Sequence, residues 1–96
     1  MSTAAEFDHA VAEVIHGLAR GEVVSYGWVA AAAGFPGRHR SVGQFLAAKY
    51  DGPNWWLVVG ADGRLRAPSL AEQTRRLRAD GVSVDHGRVA VPVKRP

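Results

Sequence analysis

The chain has 96 residues, with 12 lysines and arginines against 9 aspartates and glutamates, and it contains no cysteine. The missing thiols exclude disulfides, thiolate nucleophiles and cysteine-ligated zinc or iron–sulfur sites. The formal net charge of +3 is compatible with a polyanionic partner, and no apolar run approaches the roughly 18 residues of a membrane-spanning helix. We expect a single domain over residues 1–96 that is monomeric and cytoplasmic, with no membrane association.

The first predicted element is an amphipathic helix. Phe7, Val11, Ile15 and Leu18 recur at spacings of three and four residues, which is the period of one helical face. The pattern predicts a helix from about residue 5 to 19 that ends near a glycine at position 21.

Two short helices are predicted next. Ser25 is placed to cap a helix that runs to Gly34, a residue type suited to the position just past a helix end. A Phe-Pro-Gly turn then leads into another helix from about residue 38 to 49. Two short helices joined by a tight turn, with arginines at the start of the second, form a helix-turn-helix.

The second half of the chain is predicted to contain a wing. Residues 56–59 suit a strand, and the Ala-Asp-Gly turn at 61–63 leads to residues 64–66, which would complete a hairpin. Ser69, or Pro68 in the first helical turn, opens a further helix that runs to Gly81.

A small hairpin is predicted to end the domain. Residues 82–84 and 88–91 flank an Asp-His-Gly turn, and residues 92–96 are expected to be loose. The predicted fold class is therefore α/β, mostly α: a winged helix-turn-helix domain with small β-hairpin elements. No metal-ligand spacing is present, and no cofactor is expected.

Positive charge is concentrated at one place. Arg38, His39, Arg40 and Lys49 occur in one segment without an intervening acid, whereas the arginines at 75, 76 and 78 are interleaved with acidic residues. The first group is the better candidate for a surface that faces phosphates.

Three short motifs occur in register along the chain: EVVSYG at 22–27, RSVGQ at 40–44 and VVGADG at 58–63. Together they resemble the DNA-binding domain of the O6-alkylguanine-DNA alkyltransferases, from about residue 7 to 82. In that family a Pro-Cys-His-Arg-Val signature precedes the wing strand. Here the slot holds Asn54, Trp55, Trp56, Leu57 and Val58, so Trp55 occupies the position of the alkyl-accepting cysteine. The chain is thus identified as a divergent member of the alkyltransferase-like proteins, which carry a tryptophan there and transfer nothing.

The resemblance implies roles for particular residues. Arg40 would enter the base stack in place of a flipped nucleotide, Tyr26 would press on the phosphate, and Gly43 would let the helix backbone approach DNA. The expected DNA-binding residues are Tyr26, Arg38, Arg40, Ser41, Gly43 and Lys49. The expected lesion-pocket residues are Tyr26, Asn54, Trp55, Trp56 and Val58.

The two adjacent tryptophans leave several interpretations open. Trp55 would line the pocket and contact a flipped alkylated guanine, with Trp56 on the opposite side facing the core. Alternatively, both indoles fill the space of a former pocket. Asp80 matches a family carboxylate that orients a histidine, but with no histidine to orient it is expected to be a structural acid at a helix end.

The function implied is non-enzymatic. The protein would bind double-stranded DNA that contains O6-alkylguanine, flip the lesion and mark it for nucleotide excision repair proteins, without alkyl transfer. Two alternatives remain: a winged-helix DNA-binding or regulatory module that has lost the lesion pocket, and a protein-interaction remnant that no longer binds DNA.

Overall fold

The first helix ends earlier than the sequence pattern predicts. The structure, a computed structural model, describes residues 3–96 and places α1 at Thr3–His16. The side-chain amide of Asn54 donates to the carbonyl oxygens of Ile15, His16 and Leu18 at 3.1–3.2 Å. Because a distant residue binds the last carbonyls of α1, the helix is closed well before Gly21.

The helix-turn-helix is present as predicted. Helix α2 spans Tyr26–Ala32, and α3 spans His39–Ala48. The Ser25 hydroxyl accepts a hydrogen bond from the backbone N–H of Trp28 at 3.0 Å, which caps α2. Gly34 follows α2 with a φ of +94°, a conformation that glycine adopts without steric cost.

The predicted wing strand is wrong in its extent and in its partner. Residues Trp55–Leu57 form one 3-10 turn, and only Val58–Val59 are extended. This strand, β2, pairs in parallel with β1, Val24–Ser25, rather than with residues 64–66. Both strands are fully buried, and a buried parallel pair suits a continuous apolar run.

Residues 60–66 keep the predicted turn but bond elsewhere. The backbone N–H of Gly60 donates to the carbonyl of Arg64 at 2.8 Å, which closes the turn. Leu65 then donates to Gly87 at 2.9 Å, so this segment joins the second hairpin.

The last helix and the second hairpin agree with the predictions, with shorter strands. Helix α4 spans Leu70–Ala79 and is capped by the Ser69 hydroxyl, which accepts from the N–H of Glu72 at 3.3 Å. Strands β3, Val84–Asp85, and β4, Arg88–Val89, are antiparallel. The two residues between them both have positive φ, as a tight hairpin turn requires.

Residues 92–96, called the tail below, are bonded to the domain, which corrects the expectation of a loose end. Ser25 donates its backbone N–H to the carbonyl of Lys94 at 2.9 Å, and Lys94 donates to Val23 at 3.0 Å. The Lys94 ammonium also lies 2.7 Å from the carboxylate of Glu22. The tail thus occupies the edge of β1 opposite β2.

A single hydrophobic cluster connects all four helices with β1 and β2. Its fully buried members include Val11, Ile15, Val24, Val29, Val42, Leu57, Val59 and Leu77. None of the helices described between residues 3 and 96 is both long and apolar enough to cross a membrane.

Candidate functional site

A cavity of about 290 Å³ lies beside the 3-10 turn and has Trp55 in its wall. Tyr26 from α2, Gly43 from α3 and Val58 from β2 also line this Trp55 cavity, and the start of α4 contributes Glu72. Three of the five predicted pocket residues, Tyr26, Trp55 and Val58, are therefore brought together.

A larger groove of about 830 Å³ adjoins the cavity. We call it the Arg40 groove, because Arg40 lines it together with His39 and Gln44 from α3. Tyr26 and Gly43 line both the groove and the cavity, so a group bound in one is next to the other.

Tyr26 lies where the cavity meets the groove because the Ser25 cap makes it the first residue of α2. Burial raises the pKa of the Tyr26 phenol above its ordinary value of 10.0, and the nearby Arg66 guanidinium lowers it to a smaller extent. The phenol is thus a neutral hydrogen-bonding group at physiological pH. A Cβ added to Gly43 would lie 3.9 Å from the Tyr26 ring, an ordinary van der Waals contact, so the α3 backbone at Gly43 lies close to this ring.

Arg40 is exposed near the start of α3. Its side chain forms no hydrogen bond or ion pair with the described part of the chain. The guanidinium is therefore free to move toward whatever occupies the groove.

The other predicted DNA-binding residues of α3 lie on a different face. Arg38, Ser41 and Lys49 border a shallow hollow next to α1. The Arg38 guanidinium carbon lies 5.6 Å from the centre of the Phe7 ring, and the Lys49 ammonium lies 3.2 Å from the carboxylate of Asp8. The helical repeat separates them from Arg40 and Gly43, so the six predicted residues form two surfaces.

Asn54 and Trp56, predicted for the pocket, do not line the cavity. Asn54 has a φ of +69°, which turns its side chain to the end of α1. The Trp56 indole instead donates its N–H to the carboxylate of Asp80 at 2.8 Å. Asp80 is the C-cap residue of α4, the structural position at a helix end that the sequence predicts. It orients the Trp56 indole in place of the absent histidine, and it also lies 3.7 Å from the guanidinium of Arg20.

Trp56 connects α4 to the cavity wall. Its ring stands edge-to-face against Trp55, with the ring centres 5.9 Å apart and the planes at 85°. The Arg76 guanidinium carbon lies 4.9 Å from the centre of the Trp56 ring, at a distance typical of a cation–π contact. Arg75 and Arg76 both bond Glu72 and lower the pKa of its carboxyl below the ordinary 4.5.

Gln73 is a site residue that sequence reasoning missed. Its side chain is fully buried and donates to the backbone carbonyls of Trp56 and Val58, both at 3.1 Å. The available signal was a polar residue four positions before Leu77, on the core face of α4. Gln73 thus fixes the backbone on both sides of the 3-10 turn's end.

Arg66 was also missed, although it lines both the cavity and the groove. It lies 3.7 Å from the carboxylate of Asp62. A Cβ on Gly60 would lie only 2.6 Å from the Arg66 Nε, so the Arg66 side chain is packed against the turn at Gly60. Across residues 3–96, no group of three or more His, Asp or Glu side chains is arranged to hold a metal ion.

A helix-turn-helix beside a turn-bordered groove, with an aromatic-walled cavity behind it, defines a winged helix-turn-helix DNA-binding domain. The model of the family described as "6-O-methylguanine DNA methyltransferase, DNA binding domain" matches residues 6–82. The chain belongs to this family, and the predicted likeness to the alkyltransferase-like proteins is confirmed.

Relatives and solved structures agree with this assignment. The chain is 35% identical over 83 residues to a "DNA base-flipping protein" of Vibrio parahaemolyticus, a match that covers 81% of this chain and 83% of the relative. It is similar to S. pombe Atl1 in complex with damaged DNA containing O6-carboxymethylguanine, with a TM-score of 0.74, 26% identity and coverage of 88% and 83%. A second S. pombe ATL–DNA complex shares the fold, with a TM-score of 0.72, 24% identity and coverage of 95% and 92%.

Proposed function

We propose that this protein binds duplex DNA, flips an O6-alkylguanine into the Trp55 cavity and holds it there without transferring the alkyl group. The observation that carries the proposal is that the aromatic cavity adjoins the groove that contains Arg40. The relative named as a base-flipping protein and the Atl1 complex with damaged DNA support the same function.

The size and lining of the cavity suit a single base. Its volume is at the lower end of the ~300–1,000 Å³ of small-molecule pockets. Trp55 and Tyr26 offer aromatic surface for a base, and stacking on such a surface is worth roughly 1–3 kcal/mol. Gly43 lines both the groove and the cavity, so a base would pass beside it from one to the other.

Arg40 supplies the compensation that base flipping needs. Extruding a base costs a few kcal/mol in lost stacking and pairing. A planar guanidinium inserted into the gap restores part of the stacking. The unbonded Arg40 side chain can take this position without first breaking contacts within the protein.

The site lacks the groups that alkyl transfer requires. The acceptor must be an activated thiolate with a neighbouring base, whereas the family's cysteine position holds Trp55. The carboxylate of Asp80 binds the N–H of Trp56, and a neutral indole has no basic nitrogen. Because the protein would recognise the lesion without repairing it, a later step by other proteins is needed, and we assign that step to nucleotide excision repair. We further propose that the protein acts as a monomer in the cytoplasm.

Two labelled duplexes that differ only in one O6-methylguanine would test the proposal, with binding followed by fluorescence anisotropy. The parent protein should bind the modified duplex more tightly. Trp55→Ala should lose about 1–3 kcal/mol of affinity for the modified duplex only. Leu70→Ala, at an exposed position outside the cavity and the groove, is the matched control.

The other outcomes identify the alternatives. Equal affinity of the parent for both duplexes would replace lesion recognition with a general DNA-binding module. Absence of binding to either duplex would favour a protein-interaction role.

A further inference from the structure

We propose that the tail forms part of the DNA-binding surface, beside the Arg40 groove, and that Arg95 contacts a DNA phosphate. The inference rests on the proposed function, because it takes the Arg40 groove as the side that faces DNA. It concerns residues outside the motifs that carry the family resemblance.

The tail has a defined position because it pairs with β1. The two backbone hydrogen bonds of Lys94 with Val23 and Ser25 fix its register, and Val24 is the bridge partner of Lys94. Tyr26, which follows Ser25 and is the first residue of α2, lines the groove. The pairing therefore carries the residues after Lys94 toward the groove.

Successive side chains on an extended backbone point to opposite sides, and the tail follows this rule. Lys94 turns to Glu22 and lies 5.9 Å from the centre of the Trp28 ring. Arg95 turns the other way and donates to the carbonyl of Ala61 at 3.4 Å. Since Ala61 lines the Arg40 groove, Arg95 lies at the edge of that groove.

Pro96 completes the contact between the tail and the groove. It is one of the lining residues, and its Cγ lies 3.2 Å from the position of a Cβ built on Gly27. Gly27 and Pro96 are therefore in close contact, and a Cβ at position 27 would require Pro96 to shift by a few tenths of an ångström. This contact places the end of the tail against the start of α2.

The charges around the groove favour a polyanion. Arg40 and Arg95 form no ion pair with any described residue. The nearby acid on the turn, Asp62, bonds Arg64 and Arg66, and Glu22 on the other side bonds Lys94. Two guanidinium groups without an ion-pair partner, Arg40 in the groove and Arg95 at its edge, suit phosphates that follow the groove.

The salt dependence of DNA binding tests the role of Arg95. One phosphate contact contributes about 0.9 to the slope of log K against log salt, which corresponds to about a fivefold affinity change near 0.15 M salt. Arg95→Ala should lower the slope by about this amount and weaken binding to modified and unmodified duplexes equally. Arg95→Glu should weaken both further, and Arg95→Lys should retain the slope because it retains the charge.

Arg75→Ala is the matched control, since Arg75 is an exposed arginine on the outer face of α4 that lines neither the cavity nor the groove. It should leave affinity and slope unchanged. Unchanged slopes for Arg95→Ala and Arg95→Glu, in a protein whose binding Arg40→Ala still weakens, would overturn the proposal. A parent protein with no preference for the modified duplex would reject lesion recognition, while the slope of Arg95→Ala would still decide the role of the tail.

Discussion

The segment around Trp55 is held by hydrogen bonds to several parts of the fold, whereas the side chain of Arg40, in the adjoining groove, has no hydrogen bond or ion pair with the described chain. Asn54 binds the end of α1, Trp56 binds Asp80, and Gln73 binds the carbonyls of Trp56 and Val58. Arg40 is exposed and makes no such contact. The cavity wall is thus fixed before DNA binds, whereas the arginine proposed to enter the base stack is free to move.

A cavity wall that is fixed before binding avoids the entropic cost of ordering it around a base. An arginine that must enter the base stack gains nothing from contacts that it would first have to break. The same comparison explains why Arg38 and Lys49 differ from Arg40: their contacts with Phe7 and Asp8 hold them on the α1 side of α3.

Among the variants considered, Gln73→Leu should have the largest effect, because it removes the hydrogen bonds that hold the segment around Trp55. The change leaves two backbone carbonyls without their donor, and each such loss costs about 1–3 kcal/mol. We expect the free energy of unfolding to fall by about 3 kcal/mol, measured by urea denaturation. Gln44→Leu, at an exposed position on α3, should change stability by less than about 0.5 kcal/mol. A loss below about 1 kcal/mol for Gln73→Leu would show that the segment is fixed by other contacts.

Arg40→Ala should lower the affinity for DNA without lowering the stability of the fold. We expect a loss of about tenfold to a hundredfold in affinity for the modified duplex, since the gap left by the base is no longer filled. The free energy of unfolding should change by less than about 0.5 kcal/mol. Arg38→Ala, on the other face of α3, should alter affinity less. A clear loss of stability in Arg40→Ala would contradict the view that this side chain is free.

Asp80→Asn should weaken the hydrogen bond to the Trp56 indole without removing it. An amide oxygen can still accept from the Trp56 indole, but a charged acceptor makes the stronger bond. We expect a loss of about 1 kcal/mol in stability and a smaller preference for the modified duplex, as Trp55 packs against a less fixed Trp56. Asp85→Asn, on the exposed hairpin, controls for the removal of one charge. An unchanged preference for the modified duplex would show that the position of Trp56 does not affect binding in the cavity.

The pairing of Glu22 with Lys94 should give the smallest effect and shows whether the tail belongs to the fixed region. The hydrogen bond from Lys94, followed by the one from Ala19, lowers the pKa of Glu22 below its ordinary 4.5. A lowered folded-state pKa means that the stabilisation is complete above the ordinary value and is lost as the pH falls through the folded-state value. Glu22→Gln should therefore reduce the urea midpoint at pH 7, and the reduction should shrink as the pH falls below 4.5 through the folded-state pKa. An equal reduction over the whole pH range would assign the effect to something other than this charge pair.

Local signals were sufficient for the starts of two helices, but not for the end of α1. The caps at Ser25 and Ser69 act within three residues of themselves, so the starts of α2 and α4 could be predicted. The position of Trp55 in a cavity followed from the family motif. The side of α3 on which Arg38 and Lys49 lie depends on Phe7 and Asp8, which no local pattern connects to them.

The missed features are contacts between distant segments. The turn at residues 61–63 predicted a hairpin, but β2 pairs with β1, far away in sequence. Asn54 and Gln73 are ordinary polar residues until the fold brings carbonyl groups to them. The tail has the composition of a loose end, and only the free edge of β1 gives it a partner.

The three tryptophans of the chain lie in two regions, because Trp55 and Trp56 are in edge-to-face contact while Trp28 lies beside the tail. Trp28 is under Lys94 of the tail, Trp55 is in the cavity wall, and Trp56 is bonded to Asp80 below α4. Indole emission responds to polarity and to charges close to the ring. A Trp28→Phe variant would retain the Trp55–Trp56 pair and its bond to Asp80 as an optical probe of the cavity. The difference between this variant and the parent in a titration with DNA would report on Trp28 beside the tail.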